Sequence, residues 1–222
     1  MAKAKKKTEK KAEKRAGRKT EKRGMRAVYL ASRSRTRAEL LTKAGIPFIA
    51  EVAGVDEPAV KAALRAEGAS TQAAADRLAA LKAEKISARH PDALVIGSDQ
   101  ILECGGVWFD KPVDTDNARA QLQTLRGRDH RLVSVTCVFL DNTRAWSHLS
   151  IAELAMRDFS DSFLEDYLDA MGSRVLDVVG GYEIEGLGAQ LFSKISGDFF
   201  SILGLPLLPL LEFLREQGVV GQ

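Results

Sequence analysis

The chain has 222 residues, of which 45% are apolar and 28% charged, the balance of an ordinary globular protein with a sizeable core. The net charge of +3 hides an asymmetry, because residues 1–26 contain 13 Lys or Arg and 3 Asp or Glu, which leaves 20 basic and 27 acidic side chains for the rest. This acidic remainder excludes a generic nucleic-acid-binding domain. We expect no membrane segment, since the apolar run at 202–211 is short and contains Pro206 and Pro209.

Residues 1–25 predict a basic, disordered tail, followed by one domain at 26–218. The tail has almost no large apolar residue to bury against the entropy of ordering it, and it resembles neither a secretory signal nor a transit peptide. Three interpretations stay open: a nucleic-acid-binding arm, a solvated extension, or an extension upstream of a domain that begins at Met25. The two cysteines, Cys104 and Cys137, form no metal or disulfide motif, which indicates a reducing compartment, and we expect a cytoplasmic protein.

The first half of the chain alternates apolar runs with helical patterns. Residues 27–31 predict a buried strand, a helix follows and ends at Gly45, a second strand is predicted at 46–52, and 54–58 form a turn-rich segment. A long helix is predicted from a cap at residue 70 or 71 to about His90. Lys82 falls inside its apolar stripe, either as a lysine that extends from the edge of the core to solvent or as an ammonium that points into an anion site.

The second half predicts further strands and helices. An apolar run at 94–97 ends in Gly97-Ser98-Asp99-Gln100, after which strand character resumes as far as Gly105. We predict helices at 114–125, 161–171 and 207–217, and strands at 132–140 and 145–156 that are joined by a turn at 141–143. This mixture indicates an α/β or α+β fold with a mixed sheet.

The common sequence motifs of nucleotide and hydrolase sites are absent. The sequence has no GxxxxGK[ST] loop, no GxGxxG after a strand, no HExxH and no GxSxG. Residues that could bind phosphate or metal instead occur where we expect loops at strand ends, namely Ser34, Arg37, Asp56, Glu57, Asp99 and Lys111, and in the long helix at Lys82. Carboxylates suit Mg²⁺ or Mn²⁺, and Lys and Arg neutralise phosphate oxygens, so these residues predict a phosphate site; the alternative is a set of solvated surface charges.

Eight short motifs follow one another along the chain. They are Leu30-Ala31-Ser32-x-Ser34-x-x-Arg37, Val55-Asp56-Glu57, Leu78-Ala79-x-x-Lys82-Ala83, Gly97-Ser98-Asp99, Lys111-Pro112, Gly180-Gly181-Tyr182, Glu185-Gly186-x-Gly188-Ala189 and Gly197-Asp198-Phe199-Phe200-x-x-x-Gly204-Leu205-Pro206. Over about residues 27–215 the chain therefore resembles the Maf-like nucleotide pyrophosphatases.

The resemblance implies a mixed α/β fold of the inosine-triphosphate-pyrophosphatase type, with two lobes around a central cleft. It also implies Mg²⁺- or Mn²⁺-assisted hydrolysis of a nucleoside triphosphate to its monophosphate and pyrophosphate, frequently in a homodimer, as a way of removing non-standard nucleotides. By position, Asp99 is then the general base or water-positioning carboxylate and, with Glu57, a metal ligand. The triphosphate is then bound by Ser34, Arg37, Lys82 and Lys111.

Some positions depart from the usual pattern of the family. Arg33, Arg35 and Thr36 replace a small residue, a proline and the first of two arginines. Ser98, Gln100 and Glu185 are more similar to the subgroup associated with 7-methyl-GTP, and we expect Gln100 and Glu185 to bind substrate. A carboxylate at 185 suits guanine N–H donors or a positively charged methylated base. The alternatives for Glu185 are a second acid beside the metal or a surface residue.

Two other functions remain as alternatives. One is a nucleotide-sensing regulatory protein that uses the basic tail to bind nucleic acid. The other is a phosphatase that releases inorganic phosphate instead of pyrophosphate.

Overall fold

A computed structural model describes residues 26–221 and has a mixed α/β fold built on a seven-stranded sheet. The strands are β1 (Val28–Leu30), β2 (Ile49–Ala50), β3 (Leu94–Cys104), β4 (Val107–Phe109), β5 (Asp129–Leu140), β6 (Thr143–Met156) and β7 (Phe192–Ser196). They lie in the order β2-β1-β3-β5-β6-β7, with β4 paired to β3 outside this path. Strand β1 is parallel to β2 and β3, and the other pairs are antiparallel, which confirms the predicted mixed sheet.

Most helices begin at a Ser or Asp whose side chain accepts a hydrogen bond from the first turn, the usual N-cap arrangement. The helices are α1 (Arg35–Lys43), α2 (Glu57–Ala66), α3 (Thr71–Ser87), α4 (Thr115–Leu125), α5 (Asp161–Met171), α6 (Phe199–Ile202) and α7 (Leu207–Glu216). Three 3₁₀ turns lie at Gly172–Leu176, Val179–Gly181 and Leu187–Leu191. Of these helices, none combines the length and apolar character that a bilayer crossing requires.

Three apolar clusters divide the molecule into two halves that share the long strands β3, β5 and β6. In one half, α3 packs on one face of the sheet, and α1 and α7 pack on the opposite face. In the other half, α4 and α5 cover the far ends of the long strands. Successive residues of β3 point to opposite faces of the sheet, and this separates the cluster under α1 and α7 from the cluster under α3. Leu94 and Ile96 face α7, whereas Val95 and Ile101 face α3.

A gap in the strand pairing of β3 lies between the two halves. On one side β3 pairs with β1 as far as Ile96 and with β4 from Leu102 onwards, whereas on the other side it pairs with β5 through the intervening residues. Among the described residues, 97–101 therefore have a strand partner on the β5 side alone. A cleft runs along this gap.

The structure corrects several sequence predictions. The strand predicted at 46–52 is only Ile49–Ala50, and the turn predicted at 54–58 ends where helix α2 begins. Asp56 caps this helix and Pro58 lies in its first turn, where a backbone N–H has no partner within the helix and proline is therefore tolerated. Asp99 lies inside a continuous β3 instead of at a strand end, because residues 95–103 pair one by one with β5. The sequence pattern does not predict the elements β7 and α6.

Candidate active site

The cleft has a volume of about 640 Å³ and two chemically different ends. Charged side chains line one end, and they are Arg33, Arg37, Glu57, Lys61, Lys82, Asp99, Asp110 and Lys111. At the other end, called the apolar end below, the cleft meets the apolar cluster covered by α4 and α5, and the lining side chains from this cluster are Leu132, Val179, Tyr182, Ile184, Ile202 and Leu203. The carboxylates of Asp177, Glu183 and Glu185 also line the cleft. One cleft therefore offers a polar half and an apolar half, as a ligand with a charged and a flat apolar part would require.

Asp99 is the most buried acid of the charged end, with 4% of its surface exposed. The Lys82 ammonium donates to Asp99 Oδ1 at 2.6 Å and lies 3.1 Å from Glu57 Oε1. The other oxygen, Asp99 Oδ2, is buried and accepts no hydrogen bond from any described residue. Because an unpaired buried carboxylate oxygen is costly, this atom is where an incoming donor or cation would be bound.

Lys82 is buried as its place in the apolar stripe requires, but it does not extend to solvent. Its side chain is 8% exposed, and its ammonium is enclosed by the two carboxylates. The interpretation of an ammonium that points towards bound anions is thus modified: in this structure its partners are Asp99 and Glu57. The ion pairs fix the direction in which Asp99 presents its free oxygen.

Glu57 is the first residue of α2, directly after the Asp56 cap. Partial burial opposes its ionisation, but the nearby charge and hydrogen bond of Lys82 hold the pKa of Glu57 below its usual value. Glu57 is therefore an ionised carboxylate beside Asp99.

Arg37 on α1 is buried and connects three parts of the site. Its Nε donates to Gly204 O at 2.9 Å, and its Nη1 donates to Ser98 O at 2.9 Å and to Ser32 Oγ at 3.2 Å. Burial lowers the pKa of Arg37, and the charges of Asp99 and Glu57 oppose this effect. Arg37 lines the cleft as predicted, but much of its hydrogen-bonding capacity holds the backbone next to Asp99.

Ser34 and Lys111 both line the cleft. Ser34 caps α1, and its Oγ accepts from Arg37 N at 3.3 Å, so the first turn of this helix faces the cleft. Lys111 forms no ion pair with any residue that the structure describes. Partial burial and repulsion by Arg37 lower the pKa of Lys111, and the weaker attractions of Asp177 and Glu57 oppose this effect.

Gln100 and Glu185 have different surroundings. The Gln100 amide nitrogen donates to Ser134 Oγ at 2.8 Å and to two carbonyl oxygens of α6, so it connects β3 to that helix. Gln100 also lines the cleft, but its amide nitrogen is already occupied by these hydrogen bonds. Glu185 is exposed and lines the cleft in the same segment as the apolar residues Tyr182 and Ile184.

Sequence reasoning misses several charged residues of the cleft, among them the pair formed by Lys61 and Asp110. Lys61 is 8% exposed, and its ammonium lies 2.6 Å from Asp110 Oδ1. No local pattern could place Lys61, because the start of the helix that carries it has the composition of a turn. Sequence reasoning also misses most of the apolar wall; Tyr182 alone has a signal, as the last residue of the Gly180-Gly181-Tyr182 motif.

The carboxylates of the cleft suit a hard divalent cation whose other ligands come from a substrate and from water. No group of three or more His, Cys, Asp or Glu side chains that could hold a metal occurs among residues 26–221. Asp99 and Glu57 supply two carboxylates, and Asp99 Oδ2 has no other partner among these residues. Mg²⁺ is commonly held by one or two carboxylates together with phosphate oxygens and water, so the residues present fit such an ion.

The chain belongs to the Maf family, since residues 27–217 match the family described as Maf-like protein. This assignment confirms the family resemblance that the eight motifs carry, and the fold agrees with it.

Matches to named relatives have nearly the same length as the family match. It is 54% identical over 189 residues to a nucleoside triphosphate pyrophosphatase of Paramagnetospirillum magneticum, a match that covers 85% of this chain and 97% of that protein. It is 53% identical to a nucleoside triphosphate pyrophosphatase of Rhodospirillum rubrum, with 87% and 96% covered. It is also 48% identical to a 7-methyl-GTP pyrophosphatase of Rhizobium johnstonii, with 86% and 96% covered.

Proposed function

We propose that this protein hydrolyses a nucleoside triphosphate to a nucleoside monophosphate and pyrophosphate. The observation that carries the proposal is the meeting of Glu57, Lys82, Asp99 and Lys111 in one cleft whose other end is apolar. The names of the relatives, which cover almost the whole matched domain, support the same reaction.

Asp99 is the residue that orients the attacking water. Its Oδ1 is fixed by Lys82, and its Oδ2 is left to accept a hydrogen bond from a water molecule and then its proton. Because the carboxylate is buried and cannot turn freely, the water is held in a defined position relative to the α-phosphorus.

The phosphate groups occupy the charged end of the cleft. Lys111 forms no ion pair among the described residues, although Asp177 and Glu57 attract it from a distance, so its ammonium is available to phosphate oxygens. Ser34 and the first turn of α1 add hydroxyl and backbone donors and the positive end of a helix dipole. These groups stabilise the negative charge that builds up on the departing pyrophosphate.

We propose that Mg²⁺ or Mn²⁺ assists the reaction and that Glu57 and Asp99 hold it. When bound, such an ion lowers the pKa of a water molecule and neutralises phosphate oxygens. Without the ion, the Lys82 ammonium contacts both carboxylates, and its positive charge offsets their mutual repulsion.

We further propose a guanine nucleotide with a methylated, positively charged base as the preferred substrate. The 48% identical relative named 7-methyl-GTP pyrophosphatase supports this choice, and so does the exposed carboxylate of Glu185, which lines the cleft in the same segment as Tyr182 and Ile184. The apolar wall would pack against the base while Glu185 attracts its charge.

A nucleotide panel tests the proposed reaction. Purified protein is incubated with 7-methyl-GTP, GTP, dTTP and UTP in the presence of Mg²⁺, Mn²⁺ or a chelator, and both phosphate products are identified. Pyrophosphate and monophosphate should form only with a divalent ion. Release of orthophosphate as the first product would instead identify a phosphatase, and binding without turnover would favour a nucleotide sensor.

A homodimer and a cytoplasmic location remain predictions. Nucleic-acid binding through residues 1–25 also remains one, and this segment lies outside the described residues.

A further inference from the structure

An ion pair between Lys61 and Asp110 lies at the charged end of the cleft. The Lys61 side chain is 10% exposed, and its ammonium lies 2.6 Å from Asp110 Oδ1. The Arg65 guanidinium lies 3.1 Å from Asp110 Oδ2. Burial opposes ionisation of Asp110, but Lys61 and Arg65 hold its pKa below the usual value, so the Asp110 carboxylate is ionised.

The pair connects two segments that each carry a proposed substrate- or metal-binding residue. Lys61 follows Glu57 by one helical turn on α2, so both side chains lie on one face of this helix. Asp110 directly precedes Lys111 in the loop after β4. A short contact between Lys61 and Asp110 therefore sets the separation of Glu57 and Lys111.

Besides Lys61, helix α2 is held by two half-buried apolar side chains, Val60 and Leu64, which pack against the apolar cluster of α3. Lys61 is the one buried residue among those of α2, and the remaining side chains are half-buried or exposed. Its other attachments to the cleft are the contact of Glu57 with Lys82 and that of Arg65 with Asp110 and the carbonyl of Trp108. Loss of the Lys61–Asp110 contact should therefore let the start of α2 move relative to β4.

We infer that Lys61 and Asp110 are a positioning pair, which holds Glu57 and Lys111 at the spacing that a pyrophosphate group requires. The inference rests on the proposed function and deepens it, because it names the part of the protein that sets affinity for the departing group. Lys61 acts through its partner instead of touching the phosphate, since its charge is already neutralised by Asp110.

A double-mutant cycle tests the pair. Lys61→Met, Asp110→Asn and the double variant are compared with wild-type protein for their affinity for inorganic pyrophosphate, measured by calorimetry. Each single change should weaken pyrophosphate binding by about tenfold. The double variant should bind pyrophosphate no more weakly than the single variant with the lower affinity, because the effects of changing two residues in contact are not additive. The affinity for the nucleoside monophosphate should change less than about twofold.

Asp161→Asn is the matched control, because Asp161 forms an ion pair with Arg126 at the same 2.6 Å distance but does not line the cleft. It should bind pyrophosphate as wild-type protein does, and melting temperatures show that all variants are folded. Unchanged or tighter binding by Asp110→Asn, or losses that multiply in the double variant, would overturn the inference, since Lys61 would then contact phosphate directly. Wild-type protein that binds pyrophosphate but releases none from any nucleotide would contradict the proposed function alone.

Discussion

The carbonyl oxygen of Ala79 lies 2.2 Å from the point at which a β-carbon on Gly97 would stand. Helix α3 thus contacts β3 through backbone atoms, two residues before Asp99. Ala83 is also close, with its β-carbon 2.9 Å from the same point. Lys82 leaves the helix between these two alanines, and the close approach allows its ammonium to reach Asp99 Oδ1 at 2.6 Å.

Gly97→Ala should therefore impair both stability and turnover. The added methyl group meets backbone atoms that cannot rotate away, so α3 must shift, which we expect to cost about 1–3 kcal/mol of unfolding free energy. The shift also lengthens the Lys82–Asp99 contact, and turnover should fall by about tenfold or more. Urea denaturation and a pyrophosphate-release assay measure the two effects.

Gly221→Ala provides the control for this change, because, apart from its chain neighbours, no atom of residues 26–221 lies within 4 Å of the point at which its β-carbon would stand. It should match wild-type protein in both assays. If Gly97→Ala matched it too, the contact between Ala79 and Gly97 would not determine the position of Lys82.

The Lys82–Glu57 contact predicts a dependence of stability on pH. Because the pKa of Glu57 is held below its usual value in the folded protein, its ionised form contributes stability above the unfolded pKa of about 4.3. This contribution is lost as the pH falls through the lower, folded pKa. Glu57→Gln should lower the unfolding free energy at neutral pH and give a shallower decline below about pH 4.3, so that the curves converge in acid.

Denaturant titrations at a series of pH values measure this difference. Glu67→Gln is the control, since Glu67 is exposed and forms no ion pair within residues 26–221. A Glu57→Gln curve that runs parallel to wild type across the whole range would show that Lys82 does not stabilise the Glu57 carboxylate.

The sequence predicts helices well where their signals are local. Helix α5 has the predicted bounds of 161–171, because Ser160 caps it and an amphipathic pattern follows. Helix α2 escapes prediction because Pro58 also fits a turn, and only packing against distant residues decides between the two. Short elements such as β7, with its Ser and Lys residues, have no pattern strong enough to identify them.

The candidate site is only partly predictable for the same reason. The family motifs name Glu57, Lys82, Asp99 and Lys111, and the structure brings all of them to one cleft. No motif could show that Lys82 pairs with two acids, or that Lys61 meets Asp110, which is 49 residues away. Such contacts depend on how β1, β3 and β4 leave a gap beside residues 97–101, and this is a property of the whole sheet.

Asp99→Asn should remove turnover while leaving much of the nucleotide affinity. The amide keeps the size of the side chain but cannot accept a proton, so we expect a loss of about 10²-fold or more in kcat. Pyrophosphate release and calorimetry with a non-hydrolysable nucleotide measure the two quantities separately. Asp169→Asn, an exposed change on α5, is the control, and near-normal release by Asp99→Asn would show that another group positions the water.

Glu185→Gln should change the choice of base. If the carboxylate attracts a positively charged methylated guanine, its neutral isostere should reduce the preference for 7-methyl-GTP over UTP by roughly three- to tenfold, a modest effect because Glu185 is exposed to screening solvent. Competition assays that give kcat/KM for 7-methyl-GTP, GTP, dTTP and UTP measure this ratio. Glu212→Gln, exposed on α7 away from the cleft, should leave the ratio unchanged. An unaltered ratio in Glu185→Gln would place base selection in the apolar wall, and a wild-type preference for dTTP would remove the basis for a methylated guanine substrate.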